Sequence, residues 1–463
     1  WNRLGTMSRR PSGDVLPAFE PMQSLLSAPL FWLAQRWPQV GNIHLTLLFN
    51  PLVTALTALM VFAFVITLGY ETRVGVACAL LFGLGTIAFP YSKLFFREPL
   101  AGLWLLSAAW CLTRLRQRRN FWYALLFLLA LAAGYATKDA NLLAVPALGL
   151  LFLNDLRALA QPTARWQALG LLAALLFLTA SALMLFLSVR GDLSSLRSDL
   201  LLSRLALLQP REGVLEAMLG FLLSPGKSFF VFTPLAVAAV CALPAFWKQH
   251  RREAVLSSAL FLSMLLGYAY TKPDIWWGGL GWGPRFLVPL APFVVIPLAP
   301  VIDHALRQPR RSQSVALSAV IALSLYVQMV GVTLDIRAYS DAVSQIAPQA
   351  MWTIAIWDPV YAPPFWSVRL LDPAHWNFAW ARYLTAGRSV DWPPLLLSAV
   401  LTLVSGLTLW RLLQHRAALS QRAVLLIWST ALSALSIVIV LMMPMIYDDP
   451  RYPGGADTRT LLG

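Results

Sequence analysis

The sequence predicts an all-α, polytopic transmembrane helix bundle, and three observations predict it. Hydrophobic residues fill 58% of the 463 positions against 12% charged, and the mean hydropathy is +0.65, far from the makeup of a soluble domain. Apolar runs of roughly 20 residues, the length a bilayer demands of a helix, recur along the chain. Basic residues cluster in short segments between alternate runs, as topology signals do.

The runs begin near Ile43, Val74, Pro99, Phe121, Asn141, Trp166, Ser228, Ala254, Arg285, Ser314, Trp392 and Ala423, giving about 12 spans. One set of alternate loops holds Arg73, Arg114 to Arg119, Arg157, Arg165, Lys248, Arg251, Arg252, Arg307, Arg310, Arg311, Arg411, Arg416 and Arg422, and is expected to be cytoplasmic. The other set faces outward and includes every long loop, so Trp1 lies outside and a further N-terminal span is expected before it. The chain divides into a remnant of the first outer loop (1–42), a core bundle (43–333), a Trp-rich outer loop (334–391) and a C-terminal hairpin with its tail (392–463). In the Trp-rich loop, Trp376, Trp380 and Tyr383 recur at helical spacing, as in an amphipathic helix at the membrane surface.

Composition also excludes functions. The net charge of +15 sits in loops between apolar runs, where it meets anionic headgroups rather than nucleic acid. Cys78, Cys111 and Cys241 lie inside apolar segments and read as packing residues, and the five histidines form no His-x-x-x-His pair, so no zinc site is expected.

Ionisable residues near the outer ends of spans fall in "YSKLFFREPL", "YATKDAN", "LSPGKSFF" and "YTKPDIWWGGLGWGPR". These supply Lys93, Arg97 and Glu98; Lys138 and Asp139; Lys227; and Lys272, Asp274 and Arg285. Charges at a bilayer edge face water-filled cavities or each other. Lys and Arg also snorkel to headgroups, an account that does not serve Glu98 or Asp139, although Glu98 before Pro99 also suits a helix N-terminus.

The stretch "DIWWGGLGWGPRF" at 274–286 carries the most chemistry. Gly278, Gly279, Gly281 and Gly283 let backbone amides approach a ligand, and Pro284 suits the first turn of a following helix. The amides of that helix are expected to point at the outer cleft and favour phosphate, with Arg285 adding a bidentate grip. Trp276, Trp277 and Trp282 offer flat faces for a sugar ring or a lipid, and a membrane-edge tryptophan anchor is the simpler alternative for all of them.

In this order and spacing, "YSKLFFREPLAGLWLLSAAW", "ATKDANLLAVPALGLLFL", "LSPGKSFFVFTPL" and "WWGGLGWGPRFLVPLAPF" resemble bacterial GT-C membrane glycosyltransferases of the protein O-mannosyltransferase and aminoarabinose-transferase type. "FEPMQSLLSAPLF" is similar to the end of their first outer loop. The resemblance implies transfer of a sugar from a polyprenyl-phosphate donor to a lipid, glycan or protein acceptor, on the outer face of the bacterial cytoplasmic membrane. It implies donor-phosphate contacts at Lys93, Arg97, Lys227 and Arg285; the residues themselves suggest substrate contacts at Glu98, Lys138, Asp139, Asp274, Trp276, Trp277, Gly281 and Gly283. Arg97 departs from the small polar residue frequent among such enzymes. The general-base carboxylate it implies lies early in the first outer loop, before Trp1, with Asp14 and Glu20 as weaker candidates. No cofactor is implied, and a divalent cation stays open. A transporter or flippase is the competing class, but it would want midplane charges and repeated halves; a non-catalytic membrane subunit is the third reading.

Overall fold

The computed structural model describes residues 7–9, 15–17, 20–36, 42–156, 212–308, 311–348 and 351–370, with residues 376, 396, 399 and 400 besides. The runs expected from Trp166 and Ala423 lie outside these residues, as do Asp14, Trp380, Tyr383 and, apart from residues 396, 399 and 400, the run expected from Trp392.

Helices dominate the described residues, and the one departure from an all-α chain is a small antiparallel pair, Met7–Arg9 with Val15–Pro17. Leu45–Thr67, Arg251–Thr271, Arg285–Arg307 and Arg311–Thr333 are long and apolar enough to cross a membrane. This is a membrane protein by those helices. Other expected runs form shorter pieces. Thr72–Gly85 is followed by Ala88–Ser92; Asp139–Ala144 is a 3-10 turn leading into Val145–Leu156; and Phe229–Phe232 breaks before Leu235–Gln249. The break falls at Thr233-Pro234, where proline removes an amide donor and restricts the residue before it. Val214–Leu223, which lies before the run expected from Ser228, is an apolar helix too short to span.

Helix ends follow from local chemistry. Glu98–Arg118 starts with an acid and Pro99 in its first turn and ends on basic Arg116 and Arg118, in keeping with the dipole. Arg119 then takes the left-handed conformation at φ 50° and stops the helix. The segment Arg285–Arg307 is the central pillar, with 89% of its 18-residue apolar window buried. Prolines at 289, 292, 297 and 300 break it into alternating 3-10 and α turns. Gly102 lets Glu98–Arg118 press on this pillar, since an added Cβ would lie 3.2 Å from the Pro289 Cα. That close approach sets Glu98 over Arg285.

The connections gather at two ends. At one, Tyr70 donates to Gln249 Oε1 at 2.8 Å, Arg307 pairs with Glu71 at 3.1 Å, and Arg252 pairs with Asp155. These segments belong to the basic loops. At the other end lie the turns at 93–98, 138–141, 224–228 and 272–285, joined by the contacts described below. Above this second end, residues 335–348 and 351–370 form a helical cap around Tyr339, Val343, Ala355 and Trp366. Leu334 bridges to Trp376, the described member of the Trp376–Tyr383 pattern.

Cys78 and Cys111 are buried as expected of packing residues, whereas Cys241 is exposed on its helix.

Candidate functional site

Glu98 is the centre of the site. It stands at the first turn of its helix and is buried, with Lys138 donating to Oε1 at 2.7 Å and Arg285 Nε 3.4 Å from the same oxygen. Lys138 directly follows the helix Trp122–Thr137 and is equally buried. Burial alone would push its ammonium down, but Glu98 beside it holds it above the ordinary lysine value. Tyr268 and Phe286 stack at 4.8 Å, and Lys138 lies 5.4 Å and 5.2 Å from their ring centres.

A second layer closes over this pair. Glu20 pairs with Arg97 and accepts the Asp139 amide at 2.9 Å, so the N-terminal segment reaches the site through this residue. Burial pulls the Arg97 and Lys272 cations down from their ordinary values. Asp139 itself is exposed at the rim. Asp274 is exposed on the turn Pro273–Ile275. Lys93 turns to the carbonyl of Val332, at the end of the helix Arg311–Thr333 where a cation complements the dipole.

The glycine loop is held from one side. Lys227, itself buried, donates to the carbonyls of Gly279 and Gly281 at 2.7 Å each and of Gly283 at 3.4 Å. Gly278, Gly279 and Gly283 all have positive φ, at 72°, 78° and 61°, a conformation that side chains resist. At Gly283 an added Cβ would also lie 2.6 Å from the Phe232 ring, and at Gly281 it would lie 2.6 Å from the Tyr91 hydroxyl. Gly283 is required by space as well as by backbone angle, Gly279 by angle alone and Gly281 by space alone.

The expected helix N-terminus differs. Arg285–Leu290 is a 3-10 turn whose first amide bonds back to Gly283 at 3.1 Å, so the pillar does not open on the site as a row of free α-helical amides. The prolines explain this, since they disrupt the α ladder from its first turns. Arg285 still presents a partly exposed guanidinium, with its side chain 28% accessible. Its charge lies 5.1 Å over the Phe96 ring and 5.2 Å over Phe286.

The tryptophans divide. Trp276 is buried against Phe221, filling the space over Gly220 where a Cβ would lie 2.1 Å from its ring. Trp282 is buried against Phe232 and Gly331. The expectation of an open indole face therefore fails for these two, which the bundle uses as large apolar fillers. Trp277 keeps part of its surface open and lies 6.2 Å from Trp352 of the cap. The cap is fixed to the Lys227 turn by backbone: Ile356 O accepts from Ser224 Oγ at 2.6 Å and from the Gly226 amide at 3.0 Å.

Sequence reasoning passed over Tyr91, Ser224, Tyr268 and Phe286. Signals existed for two of them: Tyr91 stands two positions before Lys93, and Tyr268 one helical turn before Lys272. Among the described residues no group of three or more His, Cys, Asp and Glu side chains comes together. No protein-family model matches this chain, and no curated protein matches it either.

Proposed function

We propose that the protein is an integral membrane glycosyltransferase that takes a sugar from a polyprenyl-phosphate donor, working at the outer face of the bacterial cytoplasmic membrane. One observation carries the reading. Arg97, Lys138, Lys272 and Arg285 share a neighbourhood with Glu20, Glu98 and Asp139, so positive charge is in excess within this cluster. An excess of cations at a bilayer edge is costly unless an anion joins them.

A polyprenyl phosphate supplies that anion, and its hydrocarbon belongs beside apolar helices. Chemically, the reaction breaks the bond between the anomeric carbon and a phosphate oxygen and forms one to the acceptor oxygen. The acceptor proton goes to a base, and the charge left on the phosphate is met by preorganised donors. Arg285, partly exposed and leaning on Glu98, is the residue assigned to that charge. Glu20 is held by Arg97 and so suits positioning of the loop better than proton abstraction.

The test is turnover in proteoliposomes with radiolabelled polyprenyl-phosphate sugars, following release of the lipid phosphate with and without acceptors. Release that depends on Arg285 supports the reading. A folded protein that releases lipid phosphate from no donor overturns it and returns weight to a transporter.

A further inference from the structure

Lys227 has the residue type of a phosphate ligand, yet its ammonium is turned inward to the carbonyls of Gly279, Gly281 and Gly283. A trans peptide is planar, so the C=O of one residue and the N–H of the next point in opposite directions, and the described residues contain no cis bond. Clamping the Gly279 and Gly281 carbonyls therefore aims the amides of Leu280 and Trp282 away from Lys227. The third carbonyl is followed by Pro284, which has no N–H to aim.

Those two amides donate to no partner among the described residues. Leu280 is 43% exposed, so this part of the loop reaches the surface. Two neighbours extend the donor set. Arg285 lies along the loop, its Cδ 3.7 Å from where a Gly281 Cβ would stand. The Tyr91 hydroxyl meets Gly281, is fully buried, and has no hydrogen-bond partner among the described residues. A buried hydroxyl left without a partner costs free energy and marks a place where a ligand or water belongs.

We propose that Lys227 is a positioning residue that holds the glycine loop as an anion nest, in which the amides of Leu280 and Trp282, the Arg285 guanidinium and the Tyr91 hydroxyl receive the oxygens of a phosphodiester. Backbone amides in turn conformations form such concavities, here from two residues separated by Gly281. The ligand class rests on the transferase reading above; the division of labour between Lys227 and the amides does not depend on which sugar the donor carries.

The test uses the full chain in nanodiscs and farnesyl methyl phosphodiester as probe. With selective 15N labelling, the Leu280 and Trp282 amide protons shift downfield on binding while the Lys227 Nζ signal stays put. Lys227→Gln keeps a neutral donor for the carbonyls and retains affinity within about threefold, whereas Lys227→Leu, which donates nothing, loses about thirtyfold, the span expected for hydrogen bonds to a charged group. The slope of affinity against salt is the same in Lys227→Gln as in wild type, since no ion contact is lost. Equal losses in the Gln and Leu variants, or a shifted Nζ with unmoved amides, overturn the positioning role while leaving a phosphodiester site. Failure of the wild type to bind the probe removes the donor reading, and the nest's ligand with it. Should Lys227→Leu not fold, the amide shifts and the Gln variant still decide.

Discussion

Lys138 and Glu98, forty positions apart, meet at 2.7 Å with neither side chain more than 6% exposed. A buried pair of this kind adds little net stability over apolar replacements, but either half alone is expensive. Glu98→Leu is expected to destabilise the protein by about 3–5 kcal/mol, and by more than Lys138→Met, because Glu98 also faces Arg285. The double variant recovers much of the loss. Denaturant unfolding of the three variants in detergent checks the order; a double variant as weak as the sum of the singles contradicts it.

Arg285 separates function from folding. Its guanidinium is partly exposed and its Glu98 contact is long at 3.4 Å, so Arg285→Ala is expected to shift unfolding by only about 1 kcal/mol. Donor turnover is expected to fall roughly a hundredfold, as for loss of a charge-assisted bond in a desolvated site. Turnover equal to wild type ends the role given to Arg285.

Glycine substitutions sort backbone angle from space. Gly279→Ala meets nothing within 4 Å and pays only for its φ of 78°, about 1–2 kcal/mol. Gly283→Ala adds a ring clash at 2.6 Å to a φ of 61° and is expected to cost about 1–3 kcal/mol more. Gly149→Ala, helical and in open space, is expected to stabilise by up to about 1 kcal/mol. Thermal unfolding that ranks the three in any other order refutes the loop geometry.

The pH dependence follows from Lys227, whose ammonium is pushed down to about 7 by burial, with the Arg285 charge adding to it. It is protonated below that value and neutral above. A neutral amine has two N–H groups for the carbonyls at 2.7 Å and none for Gly283 O at 3.4 Å. Phosphodiester affinity is therefore expected to fall by up to about threefold from pH 6 to 8.5, since only the long third bond is lost, and to stay flat in Lys227→Gln. Stability moves the other way. The folded value lies below the unfolded one, so the unfolded chain holds more protons between about 7 and the ordinary lysine range, and this group's contribution rises with pH across that window. Affinity and unfolding measured on one sample series test both signs.

What could be read from the sequence was periodic or adjacent. The long apolar runs from Ile43, Ala254, Arg285 and Ser314 correspond to helices of spanning length, and Glu98, Lys138 and Arg285 were suspected from their place at span ends. The rest depended on distance in the chain. Glu20 meets Arg97 across 77 positions, and nothing local in either segment signals the pairing. Residue type says that Lys227 offers a cation, but only the fold shows that its buried ammonium donates to the glycine-loop carbonyls. Trp276 and Trp282 look like surface aromatics at their depth, and only the emptiness of Gly220 and Gly331 shows why they are inside. The short helices reflect a limit of hydropathy, which registers apolar length but not the proline breaks within it.

The joint between the cap and the Lys227 turn has a consequence for descent. Ile356 contributes its carbonyl and Gly226 its amide, and the pairing depends on Gly226 staying bare, since a Cβ there would overlap the Ala355 carbonyl. A main-chain joint asks almost nothing of the side chains on the cap, so their identities can drift while its seat over the glycine loop endures. The fold thereby separates an interchangeable outer surface from a fixed floor, and a lineage can try new partners on the one without rebuilding the other.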